Sequence, residues 1–505
     1  MKVKRLWSSL LAVGMAAALT ACGGTQDGGS GGGAADSGGD SGEVSAAESS
    51  GQASEGSGET TNVVVAMLAP MEMEDTQIVQ DAINEIASER YGVTVTLQYI
   101  ASGSWTDKIN LLLTGSEVDV FACYSTPLTT YVKNGQLLAL DDYVAGASDA
   151  FKNIWTEEEL QGTTLNGHIY AIPNLRNFGN TRGLVIDESI AAEYGIEAGQ
   201  KLTMDEISEF LYKVHEEYPE RYAIVPQTGM LMVSGWTWDG LGDAQNLGVL
   251  ADCGQDTTVR NLLETDDFLD FCSYTRKWNE DGLMMPDVLS NSEAGKDMVQ
   301  AQKAVSFFLN YAVDTTPGCI RTVVVDNWTV ANSYAELCYG INSNSKVPDA
   351  AWTALQMFYT DEDICTLLVD GIEGTHYVKN EDGTVSYPSQ EAQYAYPMAS
   401  VAWMSIYSGH SLPLDANGAS YFEDLIAFNE ASAKSKAFGF SFDTSGVTDQ
   451  YTACSNVMQK YYYALLCGAI DPESSIEQAN AELEAAGLND IIAAKQEQLD
   501  AYLAQ

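Results

Sequence analysis

The stretch NVVVAMLAPMEMEDTQIVQDAINEIASERYGVTVTLQYI, residues 62–100, decides the fold. It opens with a β-branched run that predicts a strand, and its last eight residues predict another strand. Between them, residues 76–92 carry apolar side chains at helical spacing. These side chains are Ile78, Val79, Ala82, Ile83 and Ile86. Strand, helix and strand in this order form a βαβ unit, so we predict an α/β fold with a mostly parallel sheet.

The alternation of strands and helices continues beyond residue 100. Residues 104–115 predict a helix with Ser104 as its candidate cap, and residues 118–125, VDVFACYS, predict a buried strand. The pair Asn166-Gly167 predicts a tight hairpin.

A second set of elements begins after Arg176. Residues 182–187 predict a strand, and residues 202–219 predict a helix in which Thr203 and Glu206 fit a capping box. From Tyr421 onward the pattern is helical. The remaining predicted elements are strands at 303–311, 319–327 and 334–342 and helices at 348–359 and 361–371. The part after residue 61 is longer than one hydrophobic core usually serves, so we expect two lobes.

Composition narrows the classes of partner. The chain of 505 residues has 71 acidic and 24 basic side chains, a formal net charge of −47. That excess argues against nucleic acid and anionic membranes as partners, because phosphate binding needs Lys and Arg. The cysteines after Cys22 form no CxxC pair, and we expect mostly buried thiols, with a Cys253–Cys272 disulfide left open. The four histidines are scattered and lack the spacing of zinc ligands, and we predict no metal and no cofactor.

The N-terminal residues read as an export signal. A basic start, MKVKR, precedes a short apolar run that ends in LTACGG, residues 19–24. LTAC resembles the bacterial lipobox, which implies a signal peptide at 1–21 and a lipid, palmitate among the acyl groups, on Cys22. Residues 22–61 are almost wholly Gly, Ser, Ala and acidic, and predict a flexible tether. The alternative is that Cys22 is incidental to a plain signal peptide or membrane anchor.

Several longer segments together resemble one family, the extracellular solute-binding proteins of ABC importers, family 1, which includes maltose-binding proteins. Within that family they are similar to large lipoproteins that bind oligosaccharides or aldouronates. The segments run in the family's order and include WTDKINLLLTGSEVDVFACYSTPLTTYVKNGQLLALDDYV (105–144), LNGHIYAIPNLRNFGNTRGLVIDESIAAEYGIE (165–197), LLVDGIEGTHYV (367–378), SKAFGFSFD (435–443) and GLNDIIAAKQEQLDAYLA (487–504).

The resemblance implies a two-lobe Venus-flytrap fold of the periplasmic-binding-protein type, with crossing hinge segments and a helical C-terminal part. The crossings would lie near residues 173–182, 311–320 and 342–351. Lobe 1 would then comprise 62–176 plus 319–345, and lobe 2 would comprise 180–315 plus 350–505. The implied function is capture of a carbohydrate, expected to be an oligosaccharide, by a monomer that delivers it to the importer's permease subunits. The protein would sit on the outer face of the cell membrane, held by its lipid alone.

Sugars offer apolar faces and rings of hydroxyls, so their sites need aromatic platforms and planar polar groups. Tyr124, Ser125 and Thr126 follow a buried strand, where ligands of open α/β sheets bind. Trp236 and Trp238 stand two positions apart in a stretch flanked by glycine, and we expect one in the cleft and one buried. The further candidates are Arg176, Asp239, Asn310, Tyr311 and Trp403, with Trp105 and Trp328 as weaker ones. For each, packing in a core or hinge is the competing interpretation.

Two other classes of function remain open at this point. A tethered glycoside hydrolase would need paired carboxylates, but the sequence contains no G-x-S-x-G, H-E-x-x-H or P-loop motif, and we predict no enzymatic activity. An adhesive surface lipoprotein would bind a macromolecule instead. Among solutes, an acidic aldouronate would require Arg176, Arg182 or a lysine in the cleft, whereas a neutral sugar would rely on the tryptophans. Peptides and polyamines are weaker alternatives.

Overall fold

The computed structural model describes residues 60–225, 236–291, 293–311, 313 and 316–504, except for the side chains of Asn310 and Tyr311. From Thr61 onward these residues belong to one structural unit. The predicted signal peptide, Cys22 and nearly all of the predicted tether lie outside the described residues.

The strands fall into two large mixed sheets and two short hairpins. In chain order they are β1 (Thr61–Ala69), β2 (Val93–Ala101), β3 (Val120–Tyr124), β4 (Thr164–Leu165), β5 (His168–Ile169), β6 (Ile172–Pro173), β7 (Asn180–Asp187), β8 (Tyr222–Val225), β9 (Ala304–Tyr311), β10 (Cys319–Arg321), β11 (Val325–Thr329), β12 (Leu337–Ile341), β13 (Val378–Lys379), β14 (Val385–Ser386) and β15 (Ala433–Lys434).

The α-helices cover the sheets and form most of the C-terminal region. In chain order they are α1 (Thr76–Tyr91), α2 (Trp105–Gly115), α3 (Leu128–Lys133), α4 (Asp141–Ala145), α5 (Asp149–Lys152), α6 (Glu157–Leu160), α7 (Glu188–Glu193), α8 (Met204–Glu217), α9 (Asp266–Glu280), α10 (Gly295–Gln300), α11 (Pro348–Thr360), α12 (Glu362–Asp370), α13 (Gln390–Ala395), α14 (Met398–Met404), α15 (Tyr421–Glu430), α16 (Thr448–Leu466), α17 (Pro472–Ala486) and α18 (Leu488–Leu503). Among the described helices, none is both long enough and apolar enough to span a lipid bilayer.

Local sequence signals account for many of these elements. β1, α1 and β2 form the predicted βαβ unit, with β1 and β2 parallel over nine residues. Thr203 and Glu206 form the predicted capping box of α8. The hairpin of β4 and β5 turns at Asn166 and Gly167, which both have the positive φ that such a turn requires. Ser104 precedes α2 as expected, but its side chain donates to Ala101 O and does not cap the helix.

The first sheet has the order β2-β1-β3-β12-β6. β1 to β3 are parallel, as predicted for βαβ units, whereas β12 runs antiparallel to both β3 and β6. The second sheet has the order β15-β11-β7-β9-β8, with β10 also paired to β7. Its pairs around β7 are antiparallel. The expectation of mostly parallel sheets is therefore wrong for the second sheet, because its central strands are not joined by helical crossovers that return in the same direction.

Each sheet lies in its own hydrophobic core. Residues 61–178 and 334–428 form the core around the first sheet, and we call this part lobe 1. Residues 180–331 and 440–504, apart from Val313, which packs against the first core, form the core around the second sheet, and we call this part lobe 2. The chain crosses between the lobes near residue 179, at 332–333 and at 429–439. Two separate cores joined by three crossings match the predicted two-lobe architecture.

The lobe ranges differ from the prediction in two places. Residues 319–329, expected in lobe 1, form β10 and β11 and pair with β7 in lobe 2. Residues from 350 to about 425, expected in lobe 2, form helices that pack in the core of lobe 1. The second and third crossings consequently lie later in the chain than the expected segments at 311–320 and 342–351. A β-branched strand has the same sequence pattern in either sheet, so the pattern could not assign its partner.

The crossing segments are tied together by a buried asparagine. The Asn429 side chain accepts from Phe178 N at 2.9 Å and donates to Arg176 O at 2.7 Å. Ser333 Oγ donates to Phe178 O at 2.7 Å, and the rings of Phe178 and Tyr334 stack with centroids 3.6 Å apart. Each of the three crossings therefore contributes to one bonded cluster at the hinge.

The eight cysteines after Cys22 are free thiols in the described structure. Cys253 and Cys319 are half-buried and the other six are buried, as the apolar sequence context predicts. Cys253 and Cys272, the pair that the sequence left open, form no disulfide.

Candidate functional site

A cavity of about 530 Å³ lies between the two lobes, and we call it the central cavity. Lobe 1 contributes the residues that follow β3, and lobe 2 contributes the start of β7 and the loop after residue 236. The crossing at 332–333 and the residues next to it close one side. The cavity thus meets the carboxyl end of a parallel strand, the edge at which open α/β sheets bind ligands.

The lobe 1 wall consists of Tyr124, Ser125 and Thr126. Ser125 is exposed, and its neighbours are half-buried. Ser125 has a φ of 61°, in the left-handed region that residues other than glycine rarely adopt. Strained backbone of this kind concentrates at functional sites, because only the surrounding structure can hold it. The three residues that sequence reasoning placed here do line the central cavity.

The lobe 2 wall is a loop, residues 236–254, with unusual backbone geometry. The left-handed residues of this loop other than glycine are Leu241, Asn246, Asp252 and Cys253. Two buried aspartates organise the loop. Asp239 accepts from Leu241 N at 2.9 Å and from Ala331 N at 2.8 Å, which ties the loop to the second crossing. Burial raises the pKa of Asp239, although these bonds oppose the shift.

The second aspartate, Asp243, pairs with a lysine from the last helix. Lys495 Nζ, on α18, lies 3.0 Å from Asp243 Oδ2 and also donates to Gly248 O at 2.8 Å. Tyr451 OH donates to Asp243 Oδ1 at 2.7 Å. Burial acts to raise the pKa of Asp243, but the Lys495 charge and these hydrogen bonds outweigh it and lower that pKa. The C-terminal helices therefore hold the loop that forms one wall of the cavity.

Charge in the central cavity is sparse and largely compensated. Arg182 lines the cavity but is 2% exposed, packs 4.8 Å from the Trp328 ring and donates to Asn180 O. Burial lowers the pKa of Arg182 to about 10, so the guanidinium remains charged at neutral pH. Glu336 also lines the cavity, is exposed, and accepts from Arg176 Nη2 at 2.7 Å.

The structure buries both tryptophans, although one of them was expected in the cleft. Trp236 is 5% exposed and packs in the core of lobe 2 against Phe271 and Phe308. Trp238 lines the central cavity but is 1% exposed, and Asp239 beside it is fully buried. Trp238 is therefore part of the cavity wall with almost no exposed surface, and Trp236 does not line the cavity.

The other candidate residues lie elsewhere. Arg176 is 7% exposed and donates to Ser333 O and Glu336 at the hinge. Asn310 and Tyr311 pair through their backbones with Arg182 and Thr181, and their side chains lie outside the described residues. The two weaker candidates, Trp105 and Trp328, are buried.

Trp403 lies in a second cavity of about 330 Å³, which we call the lateral cavity. Its side chain is 41% exposed. The lateral cavity is formed by lobe 1 and the first crossing, and Arg176 also lines it.

Sequence reasoning missed several polar residues of the central cavity. The missed residues are Asn180, Asn246, Asn332, Glu336 and Ser441. Asn180 is the first residue of β7, a strand that the sequence pattern did predict. Asn180 could have been found by considering polar residues at the start of a strand next to a crossing as well as those at its end. Asn332 and Glu336 could not be found in this way, because the second crossing was expected elsewhere in the chain.

No group of three or more His, Cys, Asp or Glu side chains in the described ranges is arranged to hold a metal ion. Apart from the Glu336 carboxylate, the polar side chains of the central cavity that are not buried carry hydroxyls and carboxamides. These groups form hydrogen bonds with neutral polar ligands in both directions, as donors and as acceptors.

Residues 72–363 match the family of bacterial extracellular solute-binding proteins. The chain belongs to this family. Residues 436–504 of this solute-binding protein also match a family described only as a domain of unknown function. That second match contains α16 to α18, and so includes Lys495, which holds the loop of the central cavity.

The names of several relatives and structural neighbours of this solute-binding protein describe them as binding proteins for carbohydrates. A carbohydrate ABC transporter substrate-binding protein of Streptococcus pneumoniae is 24% identical over 449 residues, covering 83% of this chain and 87% of the relative. The crystal structure of the N-glycan transport solute-binding protein from Streptococcus pneumoniae superposes with a TM-score of 0.74 at 18% identity, over 88% of this chain and 100% of the other. A human-milk-oligosaccharide-binding protein from Bifidobacterium longum infantis gives a TM-score of 0.62 at 15% identity, over 88% and 99%.

Proposed function

We propose that this solute-binding protein captures a neutral oligosaccharide in its central cavity and delivers it to an ABC importer. The observation that carries the proposal is the make-up of the cavity surface. Ser125 and Thr126 from lobe 1 and Asn180 and Asn246 from lobe 2 line the same space, and their side chains carry hydroxyls and carboxamides. Such groups pair with sugar hydroxyls, and the half-buried Tyr124 ring adds an aromatic surface.

The charges favour a neutral sugar over an aldouronate. An acidic sugar would need Arg176, Arg182 or a lysine in the cleft, but Arg182 is buried beside Trp328 and donates to Asn180 O. Arg176 is already paired with the Glu336 carboxylate, which lines the same space. The named ligands of the relatives add weight, since the N-glycan protein has been solved with Man1GlcNAc and with Man5GlcNAc.

Binding without turnover is the second part of the proposal. Of the acidic residues at the cavity, Asp239 is fully buried, Asp243 pairs with Lys495 and Glu336 pairs with Arg176. This arrangement does not provide the acid and base that glycoside hydrolysis requires. Labelled oligosaccharides incubated with the protein should therefore stay intact, and cleavage would contradict this part.

A thermal-shift screen tests the ligand class. The panel holds neutral manno-, malto-, cello-, xylo- and fructo-oligosaccharides, Man1GlcNAc and Man5GlcNAc, and aldouronates. A ligand at a hundredfold over its Kd adds about 2.7 kcal/mol to the free energy of unfolding and should raise Tm by several degrees. A screen in which no glycan raises Tm would refute the carbohydrate proposal. A larger shift with aldouronates would refute the preference for neutral sugars.

We further propose that Cys22 carries a lipid that holds the protein, as a monomer, on the outer face of the membrane. The support is the LTACGG stretch and the tether-like composition of residues 22–61. The variant Cys22→Ala should move the protein from the membrane fraction to the medium. Retention of the variant in the membrane fraction would contradict the lipid anchor.

A further inference from the structure

The lateral cavity adjoins the central cavity. Arg176 lines the lateral cavity, and its Nη2 atom lies 2.7 Å from Oε2 of Glu336, which lines the central cavity. Leu175 and Asn177, on either side of Arg176, also line the lateral cavity. The two spaces therefore meet at one ion pair beside the hinge.

Trp403 has an exposed aromatic side chain on a backbone that is fixed by hydrogen bonds. Its carbonyl oxygen accepts from Asn174 Nδ2 at 2.9 Å, and the next carbonyl, of Met404, accepts from Tyr339 OH at 2.5 Å. Asn174 in turn donates its backbone N–H to Leu337 O, at the end of β12 that faces the hinge. The backbone of Trp403 is thus fixed to the first sheet while 41% of its side chain stays exposed. No other aromatic ring packs against it in the described ranges.

The remaining lining combines aromatic and uncharged polar groups. Tyr421 and Phe422 line the lateral cavity with their rings in edge contact at 5.1 Å. Asn417 and Ser411 supply a carboxamide and a hydroxyl. An aromatic platform with a few convergent polar groups is the composition that small-ligand sites share, and the platform suits the apolar face of a sugar ring.

One buried carboxyl group adds to this lining. Asp370 is 2% exposed, lines the lateral cavity and accepts from Leu412 N at 2.8 Å. Burial raises its pKa to about 8, so the group is protonated at neutral pH and its O–H can donate to a ligand. With Asp370 neutral and Arg176 paired to Glu336, the lining carries no uncompensated charge from either residue.

We propose that the lateral cavity is a second sugar subsite, which binds an uncharged residue of the same oligosaccharide whose other part fills the central cavity. This inference rests on the proposed function. It predicts that affinity depends on glycan length, because only a longer ligand reaches Trp403 past the Arg176–Glu336 pair. A short ligand would occupy the central cavity alone.

Calorimetric titration of matched short and long glycans tests the inference. The probes are Man1GlcNAc with Man5GlcNAc, and the disaccharide with the pentasaccharide of the manno-, malto-, cello-, xylo- and fructo- series. For the series that binds, the long member should bind wild-type protein at least about tenfold more tightly than the short member. Trp403→Ala should remove most of this gain and leave the affinity for the short member within about threefold.

Matched variants distinguish loss of the second subsite from a general effect of a substitution on the fold or on the central cavity. Tyr394→Ala removes another exposed aromatic side chain of lobe 1, 46% exposed and outside both cavities, and should change neither affinity. Asn417→Ala changes a polar group of the lateral cavity and should weaken the long member alone. Tyr124→Ala, in the central cavity, should weaken both members.

The outcomes distinguish this inference from the proposed function. Equal affinity for short and long members, or an equal loss for both in Trp403→Ala, overturns the second subsite while the proposed function stands. Failure of every glycan to bind wild-type protein overturns both.

Discussion

Asp370 is the residue whose titration should be visible in the stability of the whole protein. Its pKa is raised by burial from 3.8 to about 8. Between these values the folded state holds a proton that the unfolded state has released, so the free energy of unfolding falls as pH rises from about 4 to 8. The residues on which Asp370 acts electrostatically include Cys365, Tyr377, Tyr387 and Tyr396, whose pKa values are raised and which stay uncharged in this window.

The variant Asp370→Asn should remove this dependence. Urea unfolding of wild-type protein from pH 5 to pH 8 should show a loss of up to about 1.4 kcal/mol per pH unit relative to the variant. Asp270→Asn, at an exposed position of α9, serves as the matched control and should follow wild type. A wild-type profile parallel to that of Asp370→Asn would show that Asp370 is ionised in the folded protein.

The burial of single residues could not always be predicted from the sequence. We expected one of Trp236 and Trp238 in the cleft and one buried, but both are buried in the core of lobe 2. Helix α9 packs against both of them, with Phe271 on Trp236 and Phe268 on Trp238. These partners lie 35 and 30 positions away in the sequence, so local spacing could not predict the burial of both tryptophans.

At the scale of elements, helix α18 holds the loop at 236–254 in place through Lys495. Lys495 is fully buried, and its attachment to Asp243 and to the carbonyls of Gly240 and Gly248 fixes the loop from the far side of the cavity wall. This gives the C-terminal domain of unknown function a physical role in shaping the site. A buried charge that loses its partner is costly, because neither water nor another charge replaces the pairing.

Lys495→Met should therefore lower the free energy of unfolding by about 3–5 kcal/mol. The double variant Lys495→Met with Asp243→Asn should recover part of that loss, since no unpaired charge remains. Urea unfolding measures both. Lys460→Met, which breaks the Lys460–Glu482 pair at the exposed surface of lobe 2, should cost less than about 1 kcal/mol.

Two results would contradict the proposed stabilising role of the Lys495–Asp243 pair. One is a loss in Lys495→Met no larger than in Lys460→Met. The other is a double variant no more stable than Lys495→Met, because the pairing of Lys495 with Asp243 would then not explain the loss.

The elements themselves were largely predictable, and their partners were not. Period-two and helical patterns located β1, α1, β2 and α8. They did not reveal that β10 and β11 pair with β7, because sheet partners are chosen by tertiary packing. The central cavity was predictable where it follows β3, whereas Asn332 and Glu336 depended on the position of the second crossing.

For the whole molecule, two cores joined at a bonded hinge imply a protein that changes shape when a ligand bridges the lobes. Small-angle scattering should record a smaller radius of gyration when a stabilising oligosaccharide from the screen is added at saturation. The same sugar added to Tyr124→Ala at the same concentration should give a smaller change. An unchanged radius of gyration at saturating ligand would mean that binding does not close the lobes.

The central claim is that one oligosaccharide is held by both lobes at once. Calorimetric titration of that sugar into variants from each lobe, Tyr124→Ala in lobe 1 and Asn180→Ala in lobe 2, tests it most directly. Tyr394→Ala and Asn489→Ala, exposed positions outside the central cavity, are the matched controls. We predict that each cavity variant binds at least about tenfold more weakly than wild type while both controls bind normally. Wild-type affinity in either cavity variant would contradict capture between the lobes.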